Sequence, residues 1–415
     1  MAILSVFDQL GLGRMAHISA GQTEGNLAAR VTAEGSPEEE PSGRRPLVTV
    51  VLPFKSSGDS SKRYLKDAVD SILRQSFRDF ELLIFDSSAP EDFAEVRLYE
   101  RLDGRVAVLH EVALGAVDSL NRMCRQSRGK YVAFMTADDI SLPNRLASEV
   151  FYMEQNPGVG VLGTGVNIIN SEGQIAAKVI VPCKSRLIEW SLIFEDCVSG
   201  PSIMIRRDLL EQLGYFRSDS SVIYAEDYDL LVRASKMTRI EALPDILVQY
   251  RNWKGTVTTK HRDAQQESAY NIMFQHINNA IDTGVIGTKS QVRLLSPAFR
   301  ASCDRDALES ASLIIYLLKR YLAKNVLDAE VKDSILSDAA KRLLMVAWNN
   351  DRAKVAGLRI SLHALVLYPK LVLFFTPTSP VRDLVRGFAR VRARKRQENR
   401  QRPILPRKHQ AKIPA

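Results

Sequence analysis

Residues 47–53 read LVTVVLP, a continuous apolar and β-branched run closed by a proline. A run without polar alternation marks a strand covered on both faces, as in parallel sheets. The same texture returns downstream. A helical pattern over 63–74 precedes a strand over 80–85 (FELLIF), a helix near 93–102 precedes a strand over 106–109, and a helix over 117–125 precedes a strand over 131–135 (YVAFM). Strand and helix alternating at this pace predict βαβ units, hence an α/β, mainly parallel sheet with helices on both faces. Ligands of such sheets bind beyond the carboxyl ends of the strands, which directs attention to the residues just after Val51, Phe85 and Met135.

Outward from this core the texture changes. The stretch 21–46, with EGSPEEEPSGRRP at its end, has too little apolar surface to offset ordering entropy, so 1–45 reads as a flexible leader. Its start, MAILSVFDQLGLGRMAH, lacks a basic segment and carries Asp8 among its apolar residues, unlike an export signal. A sheet domain is expected over 46–260. Long helical patterns follow, notably 306–324 and 328–348, so 261–355 is expected to be helical. Residues 360–375 (ISLHALVLYPKLVLFF) are apolar but broken by His363, Pro369 and Lys370, and fall short of the ~20 residues of a membrane span. An apolar helix over 356–380 is expected either at a membrane interface or buried in the helical region.

With 415 residues, 45% hydrophobic and 25% charged, the chain is neither wholly disordered, collagen-like nor disulfide-stapled. Its net charge of +9 is local: residues 381–415 hold twelve Lys and Arg against Asp383 and Glu398, and the remainder sums to about −1. Such a tail suits an anionic membrane surface, each cation adding about 1 kcal/mol, although a solvated tail is the plainer alternative. Its one aromatic, Phe388, offers no stacking platform, so nucleic acid is disfavoured. Cys124, Cys183, Cys197 and Cys303 form no CxxC and the six histidines no HExxH, which argues against a zinc module and fits a reducing cytosolic compartment. Gly158, Gly160 and Gly163 spell GxGxxG but follow a helix inside an apolar run, the wrong context for a dinucleotide loop, and no GxxxxGK[ST] loop is present.

Three acidic sites fall on this map. Asp86, at the end of FELLIFD, can accept hydrogen bonds from a base or ribose, or cap the next helix through an Asx turn. Asp138 and Asp139, after YVAFM, suit a hard divalent cation that bridges a diphosphate, or an acidic turn. Glu226, Asp227 and Asp229 open a helical pattern, where a carboxylate can serve as general base or sit in a solvated first turn.

Taken together and in order, LVTVVLPFKSS, YLKDAVDSILRQSFRDFELLIFDSS, LNRMCRQSRGKYVAFMTADDISLPNRL and AEDYDLLVRA resemble family 2 glycosyltransferases of the GT-A fold over roughly 46–251. The resemblance implies a Rossmann-like GT-A sheet and an inverting transfer of a sugar from a nucleotide-sugar donor to a glycan or lipid-linked acceptor. It implies that Pro53, Phe54 and Lys55 line the base pocket, that Asp86 binds the nucleotide, and that Thr136, Ala137 and Asp138 border the donor. Asp138, with Asp139 beside it, would hold Mn²⁺ or Mg²⁺ as a Lewis acid on the diphosphate. Asp227 would be the catalytic base, supported by Glu226, Tyr228 and Asp229, with Gly200 and Pro201 on the acceptor side. Many members build surface polysaccharides on lipid carriers, which implies a peripheral enzyme on the cytoplasmic membrane face.

The sequence also departs from the family pattern. Lys55 and Ser56 replace the usual YN, DSSA replaces DDGS, and Thr136 replaces the first Asp of DxD. Trp253 stands for a common His after YR, and Gly200, Pro201 and Ser202 for HPS. These departures imply a weakened metal site, and they motivate an alternative reading as a non-catalytic GT-A module that binds nucleotide or glycan as a scaffold.

Overall fold

The computed structural model describes residues 45–112, 114–280, 289–296, 303–348 and 354–370. The expected leader, apart from its last residue, and the basic tail lie outside these residues. The amino-terminal half alternates as expected: β1 (Val48–Phe54), α1 (Asp59–Leu73), β2 (Phe80–Asp86), α2 (Pro90–Leu102), β3 (Val106–His110), α3 (Ala116–Gln126) and β4 (Tyr131–Phe134). In β1 every residue but Pro53 is buried, as a strand covered on both faces requires. Helix α1 turns Tyr64, Leu65, Ala68, Val69 and Ile72 inward. It begins before the expected 63 because its first turn, DSSK, is polar and carries no apolar periodicity.

Next come β5 (Ile140–Ser141), α4 (Arg145–Gln155), β6 (Val159–Ile169), β7 (Ile175–Val179), α5 (Ser185–Leu192), β8 (Met204–Arg206), α6 (Arg207–Gln212), α7 (Glu226–Ala234) and β9 (Arg239–Arg251). The nine strands form one mostly parallel sheet of order β3-β2-β1-β4-β8-β6-β9-β5, with β7 beside β6. Strands β1 to β4 and the long β6/β9 pair are parallel, while the short β5, β7 and β8 run antiparallel to their neighbours. Phe54 lies opposite Asp86 and Val51 opposite Phe134, so the carboxyl ends of β1, β2 and β4 share one edge. Below that edge the fully buried Arg145 donates to the Phe134 carbonyl at 3.1 Å and to Glu149 at 3.1 Å. Burial raises the Glu149 carboxyl to about 7 while Arg145 opposes the shift.

The GxGxxG spelling has a packing cause. Gly160 and Gly163 lie in β6, where a Cβ would meet Leu209 and Thr238 at Gly160 and the Val198 side chain at Gly163. They let neighbours press onto a central strand.

Helices α8 (Val257–Lys260), α9 (Arg262–Ala280), α10 (Lys289–Arg293), α11 (Asp304–Lys324), α12 (Ala329–Trp348) and α13 (Lys354–Leu367) follow. They enclose Trp190 of α5, whose indole donates to Asp338 at 2.7 Å, and Arg342 joins Asp338 to Glu195. In the apolar helix α13, Ala356, Ile360 and Ala364 are buried, as a helix packed in the helical region requires, while Leu358, Leu362 and Val366 are 67%, 55% and 81% exposed. The helix stops at Leu367, before Pro369, and 371–375 lie outside the described residues. Among those residues no helix is long and apolar enough to cross a membrane.

At Gly129 an added Cβ would lie 2.5 Å from the Thr49 nitrogen and 2.8 Å from the Tyr131 oxygen, both backbone atoms of paired strands. Gly129→Ala is expected to cost about 1–3 kcal/mol, as overpacking does, read as a lower denaturation midpoint at unchanged slope.

Candidate active site at the carboxyl edge of the sheet

On the β1/β2 side, backbone bonds tie the two strand ends together. Ser87 N–H donates to the Phe54 carbonyl at 2.9 Å, and Ser56 N–H donates to the Ser88 hydroxyl at 2.7 Å. Phe54 is buried and Lys55 is exposed beside it. Asp86 is fully buried and its oxygens divide their work. Oδ1 accepts the Ser88 N–H at 2.8 Å, which is the Asx turn, while Oδ2 has no hydrogen-bond partner. A buried unpartnered acceptor costs about 1–3 kcal/mol, a cost that a ligand N–H or O–H would remove. His110 lies alongside, its Nδ1 3.0 Å from the Asp86 carbonyl, with its ring stacked on Phe93 at 4.0 Å.

The turn after β4 carries the acid pair. Asp139 is fully buried: Oδ1 accepts the Arg251 backbone N–H at 2.7 Å and Oδ2 the Thr136 hydroxyl. Asp138 is half-buried; its Oδ2 accepts the Trp253 indole N–H at 2.9 Å, and its carbonyl accepts from the Arg251 guanidinium at 2.8 Å. Ala137 packs on the core under β1. Burial pushes both carboxyls up, against the Trp253 bond for Asp138; for Asp139 the charge of Asp138 adds to the effect of burial.

A divalent cation fits this donor set in a limited way. Asp139 has both oxygens engaged and Asp138 has committed Oδ2, which leaves Asp138 Oδ1 as the oxygen the pair can present. Among the described residues no three His, Cys, Asp or Glu side chains gather around one point. Hard cations that bridge phosphates keep several waters and use one or two carboxylates, so one oxygen with a diphosphate and water is a sufficient set.

The third site lies at the start of α7, whose first turn carries Glu226, Asp227 and Asp229 where the helix dipole favours negative charge. Asp227 is half-buried, and its Oδ1 accepts the Tyr228 N–H at 2.9 Å. Across from it stands the short 3₁₀ turn Gly200–Ser202. A Cβ on Gly200 would come within 2.9 Å of Asp227 Oδ2, so a larger residue there would displace that carboxylate. Asp229 is buried between Arg217 at 3.1 Å and Arg233 at 2.8 Å, and Tyr228 is anchored on the Leu192 carbonyl at 2.8 Å. Both brace the turn. Glu226 Oε2 is buried without a partner, and burial, then Asp227, raises its carboxyl to about 7.

Tyr250, on β9, relates the two acidic sites. Its ionisation is opposed first by burial and then by Asp139, Asp138 and Asp227, so the charges of all three acids bear on one phenol, whose hydroxyl pairs with that of Thr258 at 3.3 Å. Pro53, Phe54, Asp86 and the 136–139 turn thus share the sheet edge, and Asp227 lies against Gly200, in a turn that continues into Ile203, whose carbonyl accepts the Phe134 N–H of β4 at 3.0 Å. Sequence reasoning passed over Tyr250, His110 and above all Arg251. The pair Tyr250-Arg251 at the end of an apolar strand was a visible signal for a buried polar contact.

The mostly parallel sheet flanked by helices, with acids along its carboxyl edge, has the GT-A architecture. Residues 49–214 match the family model described as glycosyl transferase family 2. The chain is 32% identical over 213 residues, 50% of its own length and 71% of the relative's, to an uncharacterized glycosyltransferase of Methanocaldococcus jannaschii, MJ1057. It is 32% identical over 196 residues, 46% of this chain and 74% of the relative, to the O-antigen biosynthesis glycosyltransferase WbnJ of Escherichia coli. It is 25% identical over 199 residues, 48% and 73% of the two chains, to the E. coli UDP-Glc:alpha-D-GlcNAc-diphosphoundecaprenol beta-1,3-glucosyltransferase WfgD. The chain belongs to glycosyl transferase family 2.

Glu226 links the site to stability. Its folded carboxyl titrates near 7 against an ordinary 4.5, so between those values the folded state holds a proton that the unfolded chain has released. That contribution falls as pH rises through the window. In Glu226→Gln the melting temperature relative to wild type is expected to rise from pH 4.5 to 7 and then level off, as thermal melts at stepped pH would show.

Proposed function

We propose that the chain is an inverting, divalent-cation-dependent enzyme of hexosyltransferase type. In this reading it moves a sugar from a nucleotide-sugar to a glycan or lipid-linked acceptor in surface polysaccharide assembly. The observation that carries it is Asp227: a carboxylate at a helix start, close against Gly200, whose charge bears on the same Tyr250 phenol as the acid turn at the sheet edge. The named roles of WbnJ in O-antigen biosynthesis and of WfgD on a diphosphoundecaprenol-linked sugar support the acceptor class.

In this mechanism Asp227 accepts the proton of an acceptor hydroxyl while that oxygen bonds to the anomeric carbon. The bond from that carbon to the diphosphate oxygen breaks on the opposite face, which inverts the centre. Asp86 Oδ2, the vacant buried acceptor, takes an N–H or O–H of the nucleoside, and Pro53 to Lys55 border the base. Asp138 Oδ1 would hold Mn²⁺ or Mg²⁺, with Asp139 bracing the turn; the ion supplies charge stabilisation on the departing diphosphate. Glu226 and Asp229 keep the Asp227 turn in place, and Gly200 and Pro201 shape the acceptor side.

A positioned base contributes about 10²–10⁴-fold, roughly 3–5 kcal/mol. Asp227→Asn is therefore expected to lower nucleoside diphosphate release by that factor, measured over a panel of nucleotide-sugars with and without Mn²⁺ or Mg²⁺. Donor binding without release, in the presence of a lipid-linked acceptor extract, would install the scaffold reading, which the DSSA and TADD departures motivate.

We further propose peripheral attachment at the cytoplasmic membrane face. The outward stripe Leu358, Leu362, Val366 supports this, because it precedes the basic segment 381–415. Apolar insertion and cation attraction add at an anionic surface. The double variant Leu362→Glu, Val366→Glu is expected to lose most of its flotation with phosphatidylglycerol vesicles, whereas unchanged flotation would reject the stripe as anchor.

A further inference from the structure

Trp253 touches the acid pair, and the proposed chemistry leaves it without a task. Its indole N–H meets Asp138 Oδ2 at 2.9 Å, and its ring meets the buried Tyr64 edge-on at 5.2 Å between centroids. The same Tyr64 ring carries the Arg251 guanidinium 4.2 Å from its centroid. Arg251 in turn grips Asp138 through its carbonyl and Asp139 through Oδ1. Residues 251–253 therefore hold both acids from one face anchored on Tyr64.

The loop is shaped around this indole. Thr256 N–H closes it on the Trp253 carbonyl at 3.1 Å, and Gly255 lies against the ring so closely that a Cβ there would collide with it. Gly255 does not adopt a positive φ, so space and not backbone conformation requires glycine at this position.

An indole has a single N–H donor and offers no lone pair to a cation. It can fix the rotamer of a carboxylate and decide which oxygen stays available. We propose that Trp253 is a positioning residue that pins Asp138 Oδ2, so that Asp138 presents Oδ1 alone to a divalent cation in an orientation set before the cation arrives. This inference rests on the cation-dependent reading of the site given above. Loss of such an outer partner costs about 10–100-fold in metal affinity in characterised sites.

The test is Mn²⁺ binding to the full chain in the presence of a nucleoside diphosphate, with the nucleotide alone as control, followed by the electron paramagnetic resonance signal of the free ion. Wild type would be compared with Asp138→Asn, Trp253→Phe, which keeps a ring without the N–H, and Gly255→Ala, which displaces the indole while leaving both partners intact. The expected result is loss of binding in Asp138→Asn and about 10–100-fold weaker binding in both other variants. With three tryptophans in the chain, the indole ¹⁵N–¹H spectrum gives a second readout: the Trp253 resonance of wild type should move on addition of Mg²⁺. Wild-type affinity in Trp253→Phe and Gly255→Ala, with binding lost in Asp138→Asn, would overturn the positioning role and leave the cation reading standing. Equal affinity in wild type and Asp138→Asn, or no binding by wild type, would overturn the cation reading and this inference with it. Should either loop variant fail to fold, the wild-type indole resonance decides, and a resonance unmoved by Mg²⁺ sinks the proposal.

Discussion

Arg251 makes the acid turn possible. Two adjacent carboxylates in a water-poor cleft repel each other and lose hydration, and either penalty alone would favour protonation or a rearranged turn. Arg251 is only 3% exposed, and it answers both penalties at once. Its guanidinium binds the Asp138 carbonyl, Asp67 and the Ser171 carbonyl, its backbone N–H binds Asp139, and its charge holds both carboxyls lower than burial alone would. A buried cation is itself costly unless its donors are satisfied, and here they are spread over acids, carbonyls and the face of Tyr64. The register of β9 delivers it: Gln249 opposes Ile140 of β5, which places Arg251 against the turn preceding that strand.

The other half of the cleft depends on the helical region. Tyr228, beside Asp227, is tied to the Leu192 carbonyl at the end of α5. Trp190 on the same helix is held by Asp338, and Arg342 couples Asp338 to Glu195. The α7 turn is thus braced by a core made largely of α11, α12 and α13. The β1/β2 side needs no such support, because the parallel pairing of β1, β2 and β4 already fixes Phe54, Asp86 and the start of the 136–139 turn. The candidate site is therefore built on two kinds of foundation, backbone ladders on the side of Asp86 and side-chain networks on the side of Asp227.

Much of this was legible in the chain. Continuous apolar runs such as 47–53 and 80–85 report strands buried on both faces, because a strand between two helical layers has no solvated face to encode. Asp86, Asp138 and Asp227 were found because each directly follows a strand or opens a helix, and strand ends are where this architecture leaves space for ligands. The contacts of Arg251, Tyr250 and the Trp253 indole were not. Their importance comes from β9 lying beside β6 and β5, a pairing between segments far apart in sequence that no local periodicity records. The same limit hid the reason for Gly160 and Gly163, whose neighbours come from 198, 209 and 238.

The sequence by itself determined the class of fold, the order of its elements and the positions where acids stand at their ends, because those follow from side-chain periodicity along a continuous chain. Tertiary structure alone decided which oxygen of each acid is spent on the protein and which is left over. Asp86 gives Oδ1 to a turn and keeps Oδ2 vacant, whereas Asp138 gives Oδ2 to an indole 115 residues away. That division is set by hydrogen-bond geometry between elements brought together only on folding, where a buried donor and acceptor must meet within about 3 Å or cost free energy.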